Sequence, residues 1–356
     1  MKHDIEVPGS ITATEIHQQP GLWPDSLQRV QTANGNGVSI AEGARVVIAG
    51  AGTSAYAATA VEAAWPNARA IPTTDLLPDI EYLQGADVLL SLARSGNSPE
   101  SVGVVETACR SLPAIRHVAI TCNAEGRLAH YPGVETLLLD PRTNDRSLVM
   151  TSSFSNLVLA GLALRHASAL QAHLPEVCDR ARRLLPSMDA VACDIAKQEP
   201  PRMVVLASRP LFGWAQEARL KFIEMTGGRI AVMAETYLGL RHGPMSFVDS
   251  ETVVLCLLST DPHRRLYEND LIGELRAKGI GRLVAIEPSG LDSGPFYRRI
   301  DALAPEFPDF LRTPFEILFP QLLAWHLSVN FGLNPDSPSP DGVITRVVQG
   351  VRIYDR

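Results

Sequence analysis

Two consecutive stretches of the sequence show the same order of features: a continuously apolar segment, a turn rich in glycine and hydroxyl side chains, and a helical segment. The first is ARVVIAGAGTSAYAATAVEAAW and the second is ADVLLSLARSGNSPESVGVVETAC. Apolar strands without polar alternation are typical of parallel sheets that helices cover on both faces. The repeated strand, turn and helix therefore predict a three-layer α/β/α domain built around a parallel sheet.

The second half of the chain repeats this pattern with a different sequence. The segments RMVVLASRPLFGWAQEARLKFIEMT, ETVVLCLLST and GRLVAIEP alternate with helical segments, so a degenerate copy of the first domain is predicted. A long helical pattern from about Ser147 to Leu185 joins the halves, and the prolines of AKQEPPR indicate a boundary at 197–202. The predicted divisions are an N-terminal helical segment at 1–40, a first domain with its connecting helix at 41–196, a second domain at 203–335, and a C-terminal tail near the active site at 336–356.

Composition narrows the classes of partner. The formal net charge is −7, which argues against nucleic acid or an anionic membrane as the main partner. No stretch is a continuous run of the roughly 18 apolar residues of a membrane span, and the first residues lack the apolar core of a signal peptide. The five cysteines show no CxxC spacing and are predicted to be reduced, mostly buried thiols. We therefore expect a cytoplasmic protein.

The turns that follow the first two apolar strands are candidates for an anion site. Ligands of parallel sheets bind beyond the carboxyl ends of strands, where free N–H groups and the dipole of the next helix favour negative charge. Glycine lets the backbone approach closely, and hydroxyls add neutral donors. The residues predicted to bind a compact phosphate are Gly52, Thr53, Ser54, Arg94, Ser95, Gly96, Asn97 and Ser98. Two alternatives stay open: Ser54 and Ser98 as simple helix N-caps, and a nucleotide ligand, the weaker option because neither turn matches a nucleotide motif.

The helix predicted from about Leu211 to Gly227 is apolar on nearly all sides, which indicates that most of it is buried. Glu217, Lys221 and Glu224 nevertheless share one face, at positions i, i+4 and i+7. Buried charges are costly unless they are paired or used in function. One interpretation is an internal Glu–Lys pair with a surplus carboxylate that reaches solvent, and the other is a carboxylate kept for proton transfer.

Together these motifs resemble the sugar isomerase (SIS) domain, which binds phosphosugars. The two turns match its phosphate motifs, while EARLKFIE and LGLRHGPMSFVD look like its catalytic helix and histidine loop. Two such domains in tandem are similar to the isomerase half of glucosamine-6-phosphate synthase. The segments TSSFSNLVLA, LRHGPMSFVD and RVVQGV are closer to the AgaS branch, the tagatose-6-phosphate ketose/aldose isomerases now understood as galactosamine-6-phosphate deaminases. The resemblance covers most of the chain from about residue 40 and implies two flavodoxin-like three-layer domains.

The resemblance also implies roles for particular residues. Glu224 would carry a proton between C2 and C1 of the sugar, and His242 would help to open its ring. In relatives the histidine loop reaches into the neighbouring subunit's site, which implies a homodimer with shared active sites. The further candidates for substrate contacts are Glu217, Lys221, Ser152, Ser153, Arg346 and Gln349. The nine histidines show no metal-ligand spacing, and neither a metal nor a cofactor is expected.

The chain departs from the family pattern at several positions. Ala93 stands where the family's second phosphate motif begins with serine, and Arg94 offers a compensating charge or backbone donor. The synthase's C-terminal lysine is replaced by a tail with Arg346 and Gln349. The chain begins Met1-Lys2, so we expect neither the synthase's N-terminal cysteine nucleophile nor its glutaminase domain. The predicted function is deamination of galactosamine 6-phosphate to tagatose 6-phosphate. The alternatives are deamination of glucosamine 6-phosphate, isomerisation of a non-amino sugar phosphate, and a non-catalytic phosphosugar sensor.

Overall fold

The computed structural model of the chain describes residues 9–35, 38–291 and 293–354. In these ranges the strands form two five-stranded sheets in which every pair of neighbours is parallel. The strands β1 to β10 span Val46–Ala49, Ala68–Ala70, Val88–Ala93, Arg116–Thr121, Val134–Leu138, Arg202–Ala207, Ala231–Glu235, Val253–Leu257, Arg282–Glu287 and Arg298–Asp301. The continuous apolar segments of the sequence are therefore strands, as predicted.

The two sheets have the same topology. The first has the order β2-β1-β3-β4-β5, and the second, read from its β7 edge, has the order β7-β6-β8-β9-β10. Each strand of the second half thus takes the place of its counterpart in the first, with β6 and β8 corresponding to β1 and β3. This order is that of flavodoxin-like folds. The predicted fold class, with a second half that copies the first, is confirmed.

Helices flank both sheets. The helices α1 to α10 span Ser10–Gly35, Thr53–Glu62, Thr73–Leu76, Pro99–Ser111, Ser152–Ala196, Phe212–Met225, Tyr237–Leu240, Pro262–Lys278, Thr313–Glu316 and Leu318–Asn330. The connecting helix α5 starts and ends later than the predicted 147–185, and its backbone is non-helical at His166. It ends six residues before β6 begins. The division into domains at 41–196 and 203–335 stays a prediction.

The N-terminal segment folds as one helix, although Pro20 and Pro24 lie inside it. Ile16 and Trp23 are fully buried on its inner face, so packing outweighs the hydrogen bonds that the prolines remove. The Asp336 carboxylate caps its start, since it accepts hydrogen bonds from the backbone nitrogen of Thr12 at 2.7 Å and from its hydroxyl. Parts of the predicted segment 1–40, residues 1–8 and 36–37, lie outside the described residues.

Close packing of α2 against α6 positions the charged face of α6. A Cβ on Gly213 would lie 2.7 Å from the backbone nitrogen of Ala60, so a side chain at this position of α6 would push the helices apart. The contact brings Lys221 within 3.2 Å of the Thr53 hydroxyl at the start of α2. Residues from both halves of the chain therefore meet at the N-terminus of α2.

Two expectations from composition concern thiols and membrane spans. All five cysteines lie in the described part of the chain and are free thiols, of which Cys122, Cys178 and Cys256 are buried. Within the described ranges, the helices are too short or too polar to span a bilayer.

Candidate active site

A cavity of about 160 Å³ lies at the carboxyl ends of β1 and β3. The predicted residues that line it are Gly52, Thr53, Ser54, Arg94, Ser95, Ser98, Glu224 and Arg346. Residues 344–348 of the C-terminal tail form part of its wall. A larger groove beside Trp65 and Arg165 contains none of the predicted site residues, so we take the smaller cavity as the candidate active site.

The first turn of the cavity shows why its glycines are needed. Gly52 is the N-cap of α2 with φ 55°, a conformation that side chains with a Cβ rarely adopt. A Cβ on Gly50 would lie 2.6 Å from Ser54, so the turn folds directly onto the start of the helix. Ser54 is therefore not the N-cap of α2 but its second residue, and its side chain lines the cavity.

The second turn also contributes to the cavity, but only some of its predicted residues line it. Ser98 is the N-cap of α4, yet its side chain makes no capping hydrogen bond, so the hydroxyl remains available to the cavity. Ser95 is buried, and its hydroxyl oxygen accepts a hydrogen bond from the backbone nitrogen of Asn97 at 3.2 Å. Gly96 and Asn97 do not line the cavity. Gly96 supplies a positive φ of 65°, and the Asn97 side chain accepts from the backbone nitrogen of Arg127 at 2.9 Å.

Arg94 is a buried cation whose hydrogen bonds go to backbone carbonyls. Its guanidinium donates to the carbonyl of Leu148 at 3.0 Å and to that of Arg346 at 2.5 Å. Burial lowers its pKa, partly offset by the charge of Asp145. The Arg346 side chain in turn donates to the carbonyl of Asp145 at 3.0 Å. Arg94 and Arg346 thus fasten the tail to residues 145–148 and close one side of the cavity.

The charged residues of α6 form a compact cluster with Thr53. Lys221 and Glu217 are fully buried, and the Lys221 Nζ lies 2.5 Å from the Glu224 Oε2 and 3.4 Å from the Glu217 Oε1. The Thr53 hydroxyl lies 3.2 Å from the Lys221 Nζ and 3.3 Å from the Glu217 Oε1. The Glu224 side chain is 22% exposed and lines the cavity. The structure shows the internal Glu–Lys pair, and the partly exposed Glu224 also pairs with Lys221. Proton transfer by Glu224 stays a prediction.

Burial and neighbouring charges shift the pKa values of Glu217 and Lys221 in this cluster. Burial raises the pKa of Glu217 to about 8, and the charge of Glu224 adds to the increase. Burial alone would lower the pKa of Lys221, but the two neighbouring carboxylates outweigh it and raise this pKa. At neutral pH the ammonium is therefore charged and holds the Glu224 carboxylate by a charge-assisted hydrogen bond.

The raised pKa of Glu217 predicts a pH-dependent stability. The folded protein keeps this proton up to about pH 8, whereas the unfolded chain loses it near pH 4.5. The free energy of unfolding should therefore decrease between these values as the pH rises. Glu217→Gln copies the protonated acid and should remove this contribution, so the melting temperature of the wild type relative to the variant should fall from pH 5 to pH 8.

Thermal melts of both proteins across that range test the prediction. Burial also raises the pKa of Glu15 to about 7, with a further contribution from Asp145, but this residue contributes equally in both proteins. The difference between the two melting curves therefore isolates Glu217. A difference that stays constant with pH would contradict the assignment.

Ser152 and Ser153 do not reach the cavity, and the prediction that they contact substrate finds no support in their position. Both are fully buried at the start of α5. Their backbone nitrogens donate to the Asp145 carboxylate at 3.0 and 2.9 Å, and the Ser152 hydroxyl donates to the carbonyl of Glu15 at 2.6 Å. The Asp145 carboxylate thus caps the start of α5. Gln349 is exposed and likewise lies outside the cavity lining.

His242 is separated from the cavity within one chain. It follows α7 in an exposed turn, where its backbone nitrogen donates to the carbonyl of Gly239 at 3.0 Å. The structure therefore does not bring His242 together with Glu224 in the same chain.

Several cavity residues were missed by the sequence analysis. Ser101 lies one helical turn after Ser98, and Leu148 and Met150 come from the segment before α5. The spacing of three residues could have revealed Ser101, because i and i+3 share a helix face. The two apolar residues carry no motif. Across the described ranges, His, Cys, Asp and Glu form no group of three that could hold a metal ion.

The ends of β6 and β8 correspond to those of β1 and β3, and groups there donate hydrogen bonds to carboxylates of the chain itself. At the end of β8, the backbone nitrogen of Ser259 donates to the Glu268 carboxylate at 2.9 Å, and that of Thr260 donates to the Asp309 carboxylate at 2.9 Å. At the end of β6, the Ser208 hydroxyl also donates to Glu268. Glu268 and Asp309 are both buried. The donors that face the open cavity in the first sheet are thus satisfied internally in the second.

The fold and the site together define the class of protein. Two flavodoxin-like sheets in tandem, with a hydroxyl-lined cavity at the N-termini of two helices, are the architecture of tandem SIS proteins. A structure of this class, tagatose-6-phosphate ketose/aldose isomerase from Escherichia coli, matches with a TM-score of 0.85 and 32% identity over 98% of this chain and 99% of its own. No protein-family model matches the chain.

Curated relatives identify the family within this class. The D-galactosamine-6-phosphate deaminase AgaS of Shewanella sp. (strain ANA-3) is 37% identical over 96% of this chain and 91% of its own length. An Escherichia coli protein of the same name is 34% identical over 97% of this chain and 96% of its own. The chain belongs to the AgaS family and is an enzyme.

Proposed function

We propose that the enzyme deaminates a hexosamine 6-phosphate, with galactosamine 6-phosphate as the preferred substrate and tagatose 6-phosphate and ammonia as products. The observation that carries the proposal is the position of Glu224, which lines the same cavity as the N-termini of α2 and α4. A carboxylate beside an anion site suits a substrate with a phosphate at one end and an acidic C–H at the other. The names of the curated relatives support the amino sugar as substrate.

The phosphate binds where the two helices begin. Helix N-termini attract anions through free N–H groups and the helix dipole. Ser54, Ser95 and Ser98 add hydroxyls that line the cavity. Arg94 contributes positive charge at a distance, because its own hydrogen bonds go to carbonyls of the cavity wall. This arrangement holds the sugar by one end and leaves its C1 and C2 for chemistry.

Glu224 moves the proton. In the open-chain sugar it removes the proton from C2, and the C–H electrons form a C1–C2 double bond while the carbonyl oxygen at C1 gains a proton. Return of the proton to C1 lets the nitrogen lone pair form an imine at C2. Water then adds to the imine carbon and ammonia leaves, which yields the ketose 6-phosphate. Lys221 keeps the Glu224 carboxylate in place through their 2.5 Å contact.

The active site is completed by a second copy of the chain. We assign ring opening to His242, by resemblance to the family's histidine loop. Since this residue is exposed and lies outside the cavity of its own chain, it acts in the site of the neighbouring subunit. The enzyme is therefore a homodimer with shared active sites.

Release of ammonia from a panel of sugar phosphates tests the proposed function. The panel contains galactosamine 6-phosphate and glucosamine 6-phosphate, with tagatose 6-phosphate as a test of simple isomerisation. We expect the highest kcat/KM for galactosamine 6-phosphate. Isomerisation without ammonia would favour the second candidate, a ketose/aldose isomerase, which the name of the similar Escherichia coli structure supports. Binding without any turnover would favour a phosphosugar sensor.

The free thiols and the proposed chemistry also bear on the compartment of the enzyme and on its need for a cofactor. We propose that the enzyme works in the cytoplasm, where its five free thiols stay reduced. The proposed proton transfers need only side chains and water, so neither a metal nor a cofactor takes part.

A further inference from the structure

Ser101 has an unusual position for a helix serine. Its side chain lines the cavity together with that of Ser98, one turn earlier on α4. The residue is 4% exposed, and none of the described residues forms a hydrogen bond with its hydroxyl. The hydroxyl oxygen is not among the fully buried polar atoms that lack a partner, so it is accessible from the cavity. A ligand in the cavity would be its hydrogen-bond partner.

Some of the donors that the sequence assigns to the phosphate are already occupied. The Thr53 hydroxyl is taken by Lys221 and Glu217. Arg94 is bound to three backbone carbonyls. Ala93 contributes only a methyl group to the cavity lining. The site therefore has fewer free donors than its motifs suggest.

The backbone at Ser101 also favours an anion. The first backbone nitrogen of α4 that donates to a carbonyl is that of Val102, which bonds to Ser98 at 3.1 Å, and Pro99 has no N–H. The N–H groups of Glu100 and Ser101 therefore remain at the positive end of a 13-residue helix. Hydroxyl and backbone donors of the same residue lie together at the helix start.

We propose that Ser101 is a phosphate-binding residue. Together with Ser54, Ser95 and Ser98, it completes a set of four serine hydroxyls around the phosphate and compensates for the hydroxyls lost at Ala93 and Thr53. The inference rests on the proposed function only in that the substrate carries a phosphate. It holds for any sugar phosphate that the cavity accepts.

Binding of a hexitol 6-phosphate to Ser101→Ala tests the proposal. Calorimetric Kd for this ligand should increase by about 10-fold or more, because a hydrogen bond to a charged group is lost. The inhibition constant of inorganic phosphate should increase by a similar factor, as should KM. Alanine is the stronger helix former, so the variant should fold, and a thermal melt verifies this. Ser111→Ala, at the exposed far end of α4, is the matched control and should bind like the wild type.

Each other outcome is decisive. An unchanged Kd in folded Ser101→Ala would overturn the proposal, and so would an equal loss in Ser111→Ala. Weaker hexitol 6-phosphate binding with unchanged inhibition by phosphate would overturn the assignment to the phosphate group. A wild type that binds the hexitol phosphate but releases no ammonia overturns the proposed deaminase and leaves this comparison valid. A wild type that binds no phosphate compound overturns both.

Discussion

Glu224→Gln is expected to reduce deamination per folded molecule by about 10²–10⁴-fold. Glutamine keeps the size of the side chain and can still accept a hydrogen bond from Lys221, but it cannot take a proton from carbon. Binding of a hexitol 6-phosphate should persist, because the serine hydroxyls and helix N-termini of the cavity are unchanged. Rates of ammonia release, a binding titration and a thermal melt provide the three measurements.

The same experiment separates a catalytic carboxylate from a structural one. If Glu224 only pairs with Lys221, the substitution should cost on the order of 1 kcal/mol of stability and leave turnover nearly intact. Glu176→Gln is a suitable control, since Glu176 pairs with Arg180 at 2.8 Å on the exposed side of α5. A folded, ligand-binding and fully active Glu224→Gln enzyme would refute the mechanism.

Mixed dimers of Glu224→Gln and His242→Ala subunits are expected to recover activity that neither variant has alone. In a shared site, Glu224 comes from one subunit and His242 from the other. Each mixed dimer then contains one site with both residues intact and one site with neither. Random exchange makes about half of the dimers mixed, so activity should return to about a quarter of the wild-type value.

Co-expression with two different affinity tags allows the mixed dimers to be purified and their composition to be verified. Doubly tagged Glu224→Gln dimers without the histidine variant serve as the control and should remain inactive. Sedimentation should show a dimer at working concentration. A monomer, or verified mixed dimers without recovered activity, would show that His242 does not act across subunits.

Most of the strands that the sequence predicted lie inside the sheets, whereas those that it missed lie at the edges. Interior strands such as β3 are buried along their whole length, and burial on both faces requires the continuous apolar pattern that the sequence shows. The missed strands β2, β7 and β10 lie at sheet edges. Their residues are mostly half-exposed or exposed, so their composition does not distinguish them from loops.

Prediction of the site residues from the sequence was limited in a similar way. Motif residues next to a strand end, such as Ser54 and Ser98, were found because the chemistry of helix N-termini is local. Ser152 and Ser153 lie outside the cavity lining, and their partner, Asp145, is a capping carboxylate that has no sequence signature. The role of Arg94 depends on residues 145–148 and on the tail, which are distant in sequence. Such contacts follow from the fold and not from a motif.

The buried carboxylates of Glu268 and Asp309 indicate that the two halves of the chain have different roles. In both halves, groups at the strand ends can donate hydrogen bonds to an oxyanion. In the second half, these donors already bind the carboxylates of Glu268 and Asp309. That half is complete without a ligand, so its packing does not have to change when substrate arrives or product leaves. It can therefore keep α6, with Lys221 and Glu224, in a fixed position against the first half of the chain, which in the proposed function binds substrate and releases product. Under the proposed function, the first half binds the phosphosugar and the second half supports the carboxylate that acts on it.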